Sequence, residues 1–478
     1  MSRRGMPART RSPRRPGQRA DSRLVLRRHA AQILAAGVRA ADPERVVRQN
    51  IAVAPRGLEI AGERFPSPRG RIVCLAVGKA AYRMATAAAD VLGDHLDTVV
   101  AVGPDGDAGP LASLPRVHVR AASHPVPDER GLAAAEEAER LALDLGIEDF
   151  LLVLLSGGAS ALLPLPARGI RLEDKARTTA LLLRSGAIIA EINTVRRHLS
   201  RLKGGGLARA AAPARVVALA LSDVIGDDLA TIASGPCSPD PTTFGDSVSV
   251  LRSRGVWSKV PAPVRRHLEA GQAGHLPETP KPGAALFRRV HSAVIGSNRQ
   301  SLSACAEEAA ALGYRPLVLT SRLAGEAREV ARVLVSILRE CASSGTPAQA
   351  PVCLLAGGET TVTVRGDGFG GRNQEMATAA AIGLDGFPVP ALGAFLGTDG
   401  IDGRSDAAGG AVDDQTVARA RELGLAPPEE FLAVSDSRSF LGPVGGLIHT
   451  GPTGTNVADL SLLLIGRTKR LAIARKSL

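Results

Sequence analysis

Apolar residues fall along the chain in short unbroken runs, and most runs end in glycine and polar residues. The clearest is 151–155, five consecutive aliphatic residues followed by Ser156-Gly157-Gly158-Ala159-Ser160. A run without polar alternation predicts a strand buried on both faces, as in a parallel sheet. The same signature recurs at 71–77, 216–221, 352–356, 392–396 and 460–465, with shorter strands at 99–102, 117–121, 293–295 and 316–320. Helical spacing separates them. Leu24, Leu26, Ile33, Leu34 and Val38 share one side of 24–53, within which Asp42-Pro43 opens a second helix. Further helices are predicted at about 80–92, 129–145, 171–203, 299–313 and 325–344. Residues 361–364 read as a hairpin-like partner strand, and the Pro-, Gly- and Ala-rich 258–290 as a linker or irregular connection. Residues 293–295 open a second α/β run, and no fixed-period repeat is present. Strands alternating with helices define an α/β chain.

Composition sharpens this picture. With 478 residues, two or three domains are expected, and 45% hydrophobic with 22% charged residues describes a globular protein with ample core. The net charge of +12 is misleading, because residues 1–28 hold ten arginines and one acid, leaving +3 for the remaining 450 residues. The body is near neutral and only 3% aromatic, which argues against nucleic-acid binding. Residues 1–27 have the composition of a disordered Arg-rich tail and lack the apolar stretch of a secretory signal. Five scattered cysteines fit a reducing compartment, and no apolar run reaches membrane-span length. A cytoplasmic protein, without membrane or nucleic-acid partners, is expected.

Several strand ends carry chemistry. The junction after 151–155 has adjacent glycines for a tight turn and Ser160 as a helix cap, an arrangement that suits phosphate or carboxylate. An ordinary glycine connection would look the same. Gly78-Lys79 follows the first buried strand, at the sheet edge where ligands bind. Ser123-His124-Pro125 is a rigid loop, in which His124 is expected to bond to backbone. Arg196 and Lys203 lie about two helical turns apart, ahead of Gly204-Gly205-Gly206. Asp223, Asp227 and Asp228 crowd one loop after a strand, as around Mg²⁺ or as an exposed acidic loop. Arg372, between glycines and a helix start, is placed to grip a carboxylate or phosphate, or is a surface arginine.

Taken in order, these motifs resemble the glycerate 2-kinases of the MOFRL type. The resemblance rests on Ala76-Val77-Gly78-Lys79-Ala80, Ser123-His124-Pro125, Ser156 through Leu162, Lys203-Gly204-Gly205-Gly206-Leu207 and Leu221 through Asp228 with Ser234-Gly235-Pro236. It continues in Gly357-Gly358-Glu359-Thr360-Thr361, Gly370-Gly371-Arg372-Asn373-Gln374-Glu375, Gly397 through Gly403 and Gly451 through Asn456. It implies a larger Rossmann-like α/β/α N-terminal domain (28–290), a smaller C-terminal α/β domain (291–478) and an active site in the interdomain cleft.

The same resemblance implies ATP-dependent phosphorylation of D-glycerate to 2-phosphoglycerate, assisted by Mg²⁺. Lys79, Arg372 and Asp223 would be catalytic. Ser156, Gly157, Gly158, Ser160, Arg196, Lys203, Gly204, Gly205, Asn373 and Glu359 would bind substrate or nucleotide, and Asp223 with Asp227 would hold the metal. A homodimer is compatible with this reading. The rival is a hydroxypyruvate reductase, whose dinucleotide site would need Gly366, Gly368 and Gly371 with Asp385. That fingerprint follows a predicted hairpin strand and not a buried parallel one.

Overall fold

The computed structural model describes residues 16–106 and 108–466, with side chains from Ser22 onward. Among the described residues the chain divides into two compact units, one of 37–301 with 452–458 and the other of 16–36, 302–451 and 459–466.

The 37–301 unit begins with the helix Pro43–Asn50, capped by Asp42, whose carboxylate accepts from the Arg45 N–H at 2.9 Å. A three-stranded antiparallel meander follows: β1 (Ile51–Ala54), β2 (Gly57–Ile60) and β3 (Glu63–Pro66). The main sheet is built from β4 (Ile72–Val77), β5 (Thr98–Gly103), β6 (Val117–Ala121), β7 (Phe150–Leu155), β8 (Arg215–Leu221) and β9 (Val290–Gly296). All six are parallel, in the order β6-β5-β4-β7-β8-β9. Alternate residues of one strand serve different cores. Ile72, Cys74 and Ala76 pack with Met84, Ala88 and Phe65 on one face; Val73, Leu75 and Val77 pack with Ala134, Ala138 and Leu207 on the other. This is a three-layer α/β/α unit, as expected for the N-terminal domain.

The other unit has a mixed sheet of β10 (Arg315–Leu323), β11 (Val352–Gly358), β12 (Ala391–Gly397), β13 (Gly409–Asp413), β14 (Leu447–Ile448) and β15 (Asp459–Ile465). Its order is β10-β11-β15-β12-β13-β14, so β15 enters between β11 and β12 and runs antiparallel to both. Helices Ala327–Ser343 and Arg372–Leu384 bury Leu334, Leu338, Met376 and Ala380 against Leu354, Phe395 and Leu463.

Five expectations are corrected. Residues 16–27 are not a disordered tail but the start of the helix Pro16–Ala40. Its Arg23 and Arg27 pair with the buried Asp414 and Asp413 at 2.6 and 2.8 Å, partners that composition could not reveal. The remainder of the expected tail, 1–15, lies outside the described residues. The strand expected to open a second α/β run is β9, which completes the first sheet, so the division falls at 301 and not at 290. The helical region 171–203 is two helices, Leu172–Arg184 and Ile189–His198, and 258–290 contains the helix Ala262–Gln272. Finally, 361–364 forms no hairpin, because its only strand-type contact is a parallel bridge from Thr361 to Glu326.

Candidate functional site

Strand order reverses between β4 and β7, and the carboxyl ends at such a reversal form the ligand crevice of open α/β sheets. Those two ends carry Gly78-Lys79 and Ser156-Gly157-Gly158. They are stitched together: the Lys79 N–H donates to the Gly157 carbonyl at 2.8 Å, and the Ala80 N–H to the Ser156 hydroxyl at 3.0 Å. A side chain at Gly78 would stand 2.2 Å from Ser156 Oγ, and one at Gly157 would stand 2.1 Å from Asp223 Oδ2. The end of β8 is thus drawn against the same loop. Gly158 is flanked by His124 and by the stem of Lys79, at 2.9 Å and 3.4 Å from where its Cβ would lie. Burial, with Lys79 adding its charge, holds the His124 imidazole below its ordinary range. The structure therefore gathers Lys79, Gly157, Gly158 and Asp223 at one point, with the Lys79 side chain exposed.

Other predicted residues have different employment. Ser156 is buried, and its hydroxyl holds the Lys79 loop. Ser160 is not a cap; it lies inside the short helix Ala159–Leu162 and bonds to the Ser234 hydroxyl at 3.0 Å. The N–H groups of Gly204 and Gly205 are spent on the carbonyls of Ser234 and Gly235, at 3.0 and 2.8 Å, so they form no phosphate cradle. Asp227 sits at a turn with positive φ, 59°, while Asp228 accepts from the Ala230 N–H and the Thr231 hydroxyl.

Arg196 and Lys203 do come together, on a cavity of about 520 Å³ that His124, Gly158 and Ser160 also line. Lys175, which the sequence reading passed over, joins them. Burial, reinforced by the neighbouring cations, pushes Lys203 down to about 7 and Lys175 well below its ordinary value. Nothing but helical position distinguished Lys175 in the sequence.

The second unit has its own cavity, about 610 Å³, around Arg372. β15 begins at Asp459, which registers with Gly358 of β11 and Gly397 of β12, so one carboxylate lies between two strand ends. Arg372 grips it with two bonds, Nε to Oδ2 at 2.6 Å and Nη2 to Oδ1 at 3.0 Å, and reaches Glu359 with Nη1 at 2.6 Å. Burial pushes Asp459 up to about 6 against the pull of Arg372. Asp402 accepts from the N–H groups of Asn373 and Gln374 at 3.0 and 2.8 Å. The start of helix Arg372–Leu384 is therefore already capped by a carboxylate, and Asn373 is buried beneath it. Asp402 and Asp459 are the functional-looking residues that the sequence reading missed. Each sat in view, one in a glycine-rich acidic loop and the other before an apolar strand.

The same cap disposes of the glycine fingerprint. Gly366, Gly368 and Gly371 follow no strand, the helix N–H groups behind them are taken, and Asp385 pairs with Arg421 at 2.9 Å.

Comparison with known proteins agrees with this architecture. Residues 29–269 match the family described as Domain of unknown function (DUF4147), and residues 352–459 match the MOFRL family. A protein of Pyrococcus horikoshii named Glycerate 2-kinase is 42% identical over 450 residues, covering 93% of this chain and 99% of its own. An Agrobacterium vitis protein named "Putative hydroxypyruvate reductase" is 41% identical over 452 residues, covering 93% and 95%. The solved structure of glycerate kinase from Thermotoga maritima matches with a TM-score of 0.81 at 39% identity, covering 92% of this chain and 99% of that one. Two family models in the expected order and near-complete alignment to these relatives lead to one assignment: the chain belongs to the MOFRL-type glycerate kinase family.

Proposed function

We infer that this chain is a glycerate 2-kinase, transferring the γ-phosphoryl group of ATP to the 2-hydroxyl of D-glycerate to give 2-phosphoglycerate and ADP. The observation that carries the reading is 42% identity to a protein named Glycerate 2-kinase, over nearly the whole of both chains. In the reaction a bond forms between the glycerate 2-oxygen and the γ-phosphorus while the bond to the β,γ-bridging oxygen breaks. The hydroxyl proton passes to a carboxylate, and ADP departs with the bridging oxygen. Such transfer depends on positioning and on neutralising charge.

Lys79, exposed at the strand-order reversal, would neutralise the transferring phosphoryl group. Asp223, drawn against Gly157, would take the hydroxyl proton or join Asp227 at the metal. Arg372 would hold the glycerate carboxylate. Its bond to Glu359 is the exchangeable one, since Glu359 is exposed whereas Asp459 is buried. Among the described residues no group of three or more His, Cys, Asp or Glu side chains could hold a metal ion. Asp223 and Asp227 offer hard oxygen donors only. That fits Mg²⁺, which binds through one or two carboxylates and leaves its other positions to phosphate oxygens and water. When bound, it would supply charge neutralisation on the phosphates.

No helix among the described residues is long and apolar enough to cross a membrane. The five cysteines are buried and unbridged, which supports a cytoplasmic location.

A coupled assay with ATP, Mg²⁺ and D-glycerate, with the product identified by phosphorus NMR, tests the reading. Formation of 2-phosphoglycerate supports it. Only 3-phosphoglycerate overturns the regiochemistry. NAD(P)H consumption with hydroxypyruvate and no phosphoryl transfer overturns the kinase.

A further inference from the structure

Lys175, Arg196 and Lys203 line a single cavity of about 520 Å³, and no carboxylate is among its lining residues. Lys175 and Lys203 are only 6% and 3% exposed. Their ammonium groups donate to main-chain carbonyls alone, Lys175 to Pro164 at 2.5 Å and Lys203 to Leu163 at 3.5 Å. Among the described residues none of the three cations forms a salt bridge. Their neighbours are spoken for: Asp240, close to Gly204, is bound by Arg197, Thr242 and Thr279. Burying charge unpaired is costly, and Lys175 and Lys203 are held below their ordinary values for that reason; three basic side chains lining one open cavity describe a place where an anion would restore their protons and complete the site.

Charge and size select the anion. Arg177 lines the cavity as well, so a glycerate carboxylate, with one negative charge, would answer only one of four basic side chains, and a three-carbon acid would fill only a small part of the space. The other cavity sets Glu359, Glu375, Asp399 and Asp402 against Arg372 and Arg404 in its lining, so it is the less favourable of the two for a polyphosphate. The basic cavity also has an apolar side, with Val126 and Leu183 among its lining residues and strongly exposed. Such a side suits a flat base better than water. Its inner wall includes Gly158, against which the Lys79 stem lies.

We propose that this cavity holds the polyphosphate of the nucleotide, with Lys175, Arg196 and Lys203 as its binding cations and glycerate bound elsewhere. The proposal rests on the glycerate 2-kinase reading for the identity of the nucleotide, and it adds Lys175 to the binding machinery.

The test measures binding of ADP and of inorganic tripolyphosphate to the full-length protein by calorimetry. Wild type is compared with Lys175→Met, Arg196→Gln and Lys203→Met, and the KM for D-glycerate is determined in parallel. Loss of one charge-assisted contact should raise the ADP Kd about 10- to 100-fold. Tripolyphosphate should compete with ADP, and the glycerate KM should hold. Unchanged ADP affinity in all three folded variants overturns the proposal, and a raised glycerate KM in its place assigns the cavity to the carboxylate. Should thermal melts show that a buried-lysine variant does not fold, the half-buried Arg196→Gln carries the test. The two readings fail separately. If 2-phosphoglycerate forms but no variant weakens ADP, the cavity assignment is wrong. If ADP binding depends on the three cations but no 2-phosphoglycerate forms, the kinase reading is wrong and the cavity assignment stands.

Discussion

Arg372 lies edge-on to Asp459, with Nε 2.6 Å from one carboxylate oxygen and Nη2 3.0 Å from the other. The arginine is thereby aimed by a group whose own ionisation is finely balanced. Burial raises Asp459 to about 6, Arg372 opposes that, and the nearby Asp402 adds to it. Above that pH the carboxylate is charged and the two-bond grip is intact; below it the group is protonated and the grip is lost. Activity with D-glycerate should therefore fall on the acid side with a limb near pH 6. Asp402→Asn removes a neighbouring negative charge and should move that limb to lower pH. A kcat/KM profile that is flat across this region in the wild type rules out the coupling.

Lys79 projects from a rigid loop whose backbone, not whose side chain, makes the structural bonds. Lys79→Ala should lower kcat about 10²- to 10³-fold, the usual effect of removing one charge-stabilising donor. Its stability should change by no more than about 0.5 kcal/mol, as for other exposed positions. Steady-state kinetics and a thermal melt on the same sample check both halves.

Gly157 has no room for a methyl group on the side of Asp223, but the atom it would strike is the end of a short side chain. Gly157→Ala should fold, losing about 1–3 kcal/mol through overpacking. It should lose most of its activity, because Asp223 must turn away from the loop. Retention of full activity would mean that the position of Asp223 is irrelevant to the reaction.

Lys203, held near 7 in the free protein, should gain a proton when a polyphosphate arrives beside it. The groups facing the same cavity are Lys175, Arg177, Arg196 and His124, none of them acidic. At pH 8, ADP binding should thus take up protons from the buffer. Lys203→Met should remove about one of them, while at pH 6 the two proteins should differ little. Calorimetry in buffers of different ionisation enthalpy reads this directly.

Arg23 is the partner that holds the buried Asp414, whereas Asp413 is shared between Arg27 and Arg419. Arg23→Ala should cost about 2–3 kcal/mol in denaturant unfolding, because it strands a carboxylate away from water. Arg27→Ala should cost less, since Arg419 remains. Equal effects would show that the helix is held by its apolar side alone.

Residue type made some of this legible in advance and left the rest hidden, for identifiable reasons. β4, β7, β8, β11 and β15 are buried on both faces and so appear as unbroken apolar runs. β1 and β3 have one buried position each among four residues, and β13 opens on two glycines, so none of them carries a periodic signal. Lys79 and the 156–158 loop were recognisable because chemistry and strand end coincide there. The glycines at 204 and 205 misled because a close approach of backbone reads alike whether the neighbour is a phosphate or, as here, another loop. Lys175, Asp402 and Asp459 acquire their meaning from residues distant in the chain, and no local pattern records that. The Arg-rich stretch failed for the same reason: the aspartates that order Arg23 and Arg27 lie nearly 400 positions downstream.

The place of β15 has a consequence for synthesis on the ribosome. All six strands of the first sheet have been made by residue 296, so that unit has its full sheet while translation continues. The second sheet is without its centre until residue 465 emerges, because β11 and β12 meet only through β15. Until then the edges of both strands stand open, and open edges invite wrong pairing. The helix holding Arg23 must likewise wait for a partner made 391 residues later.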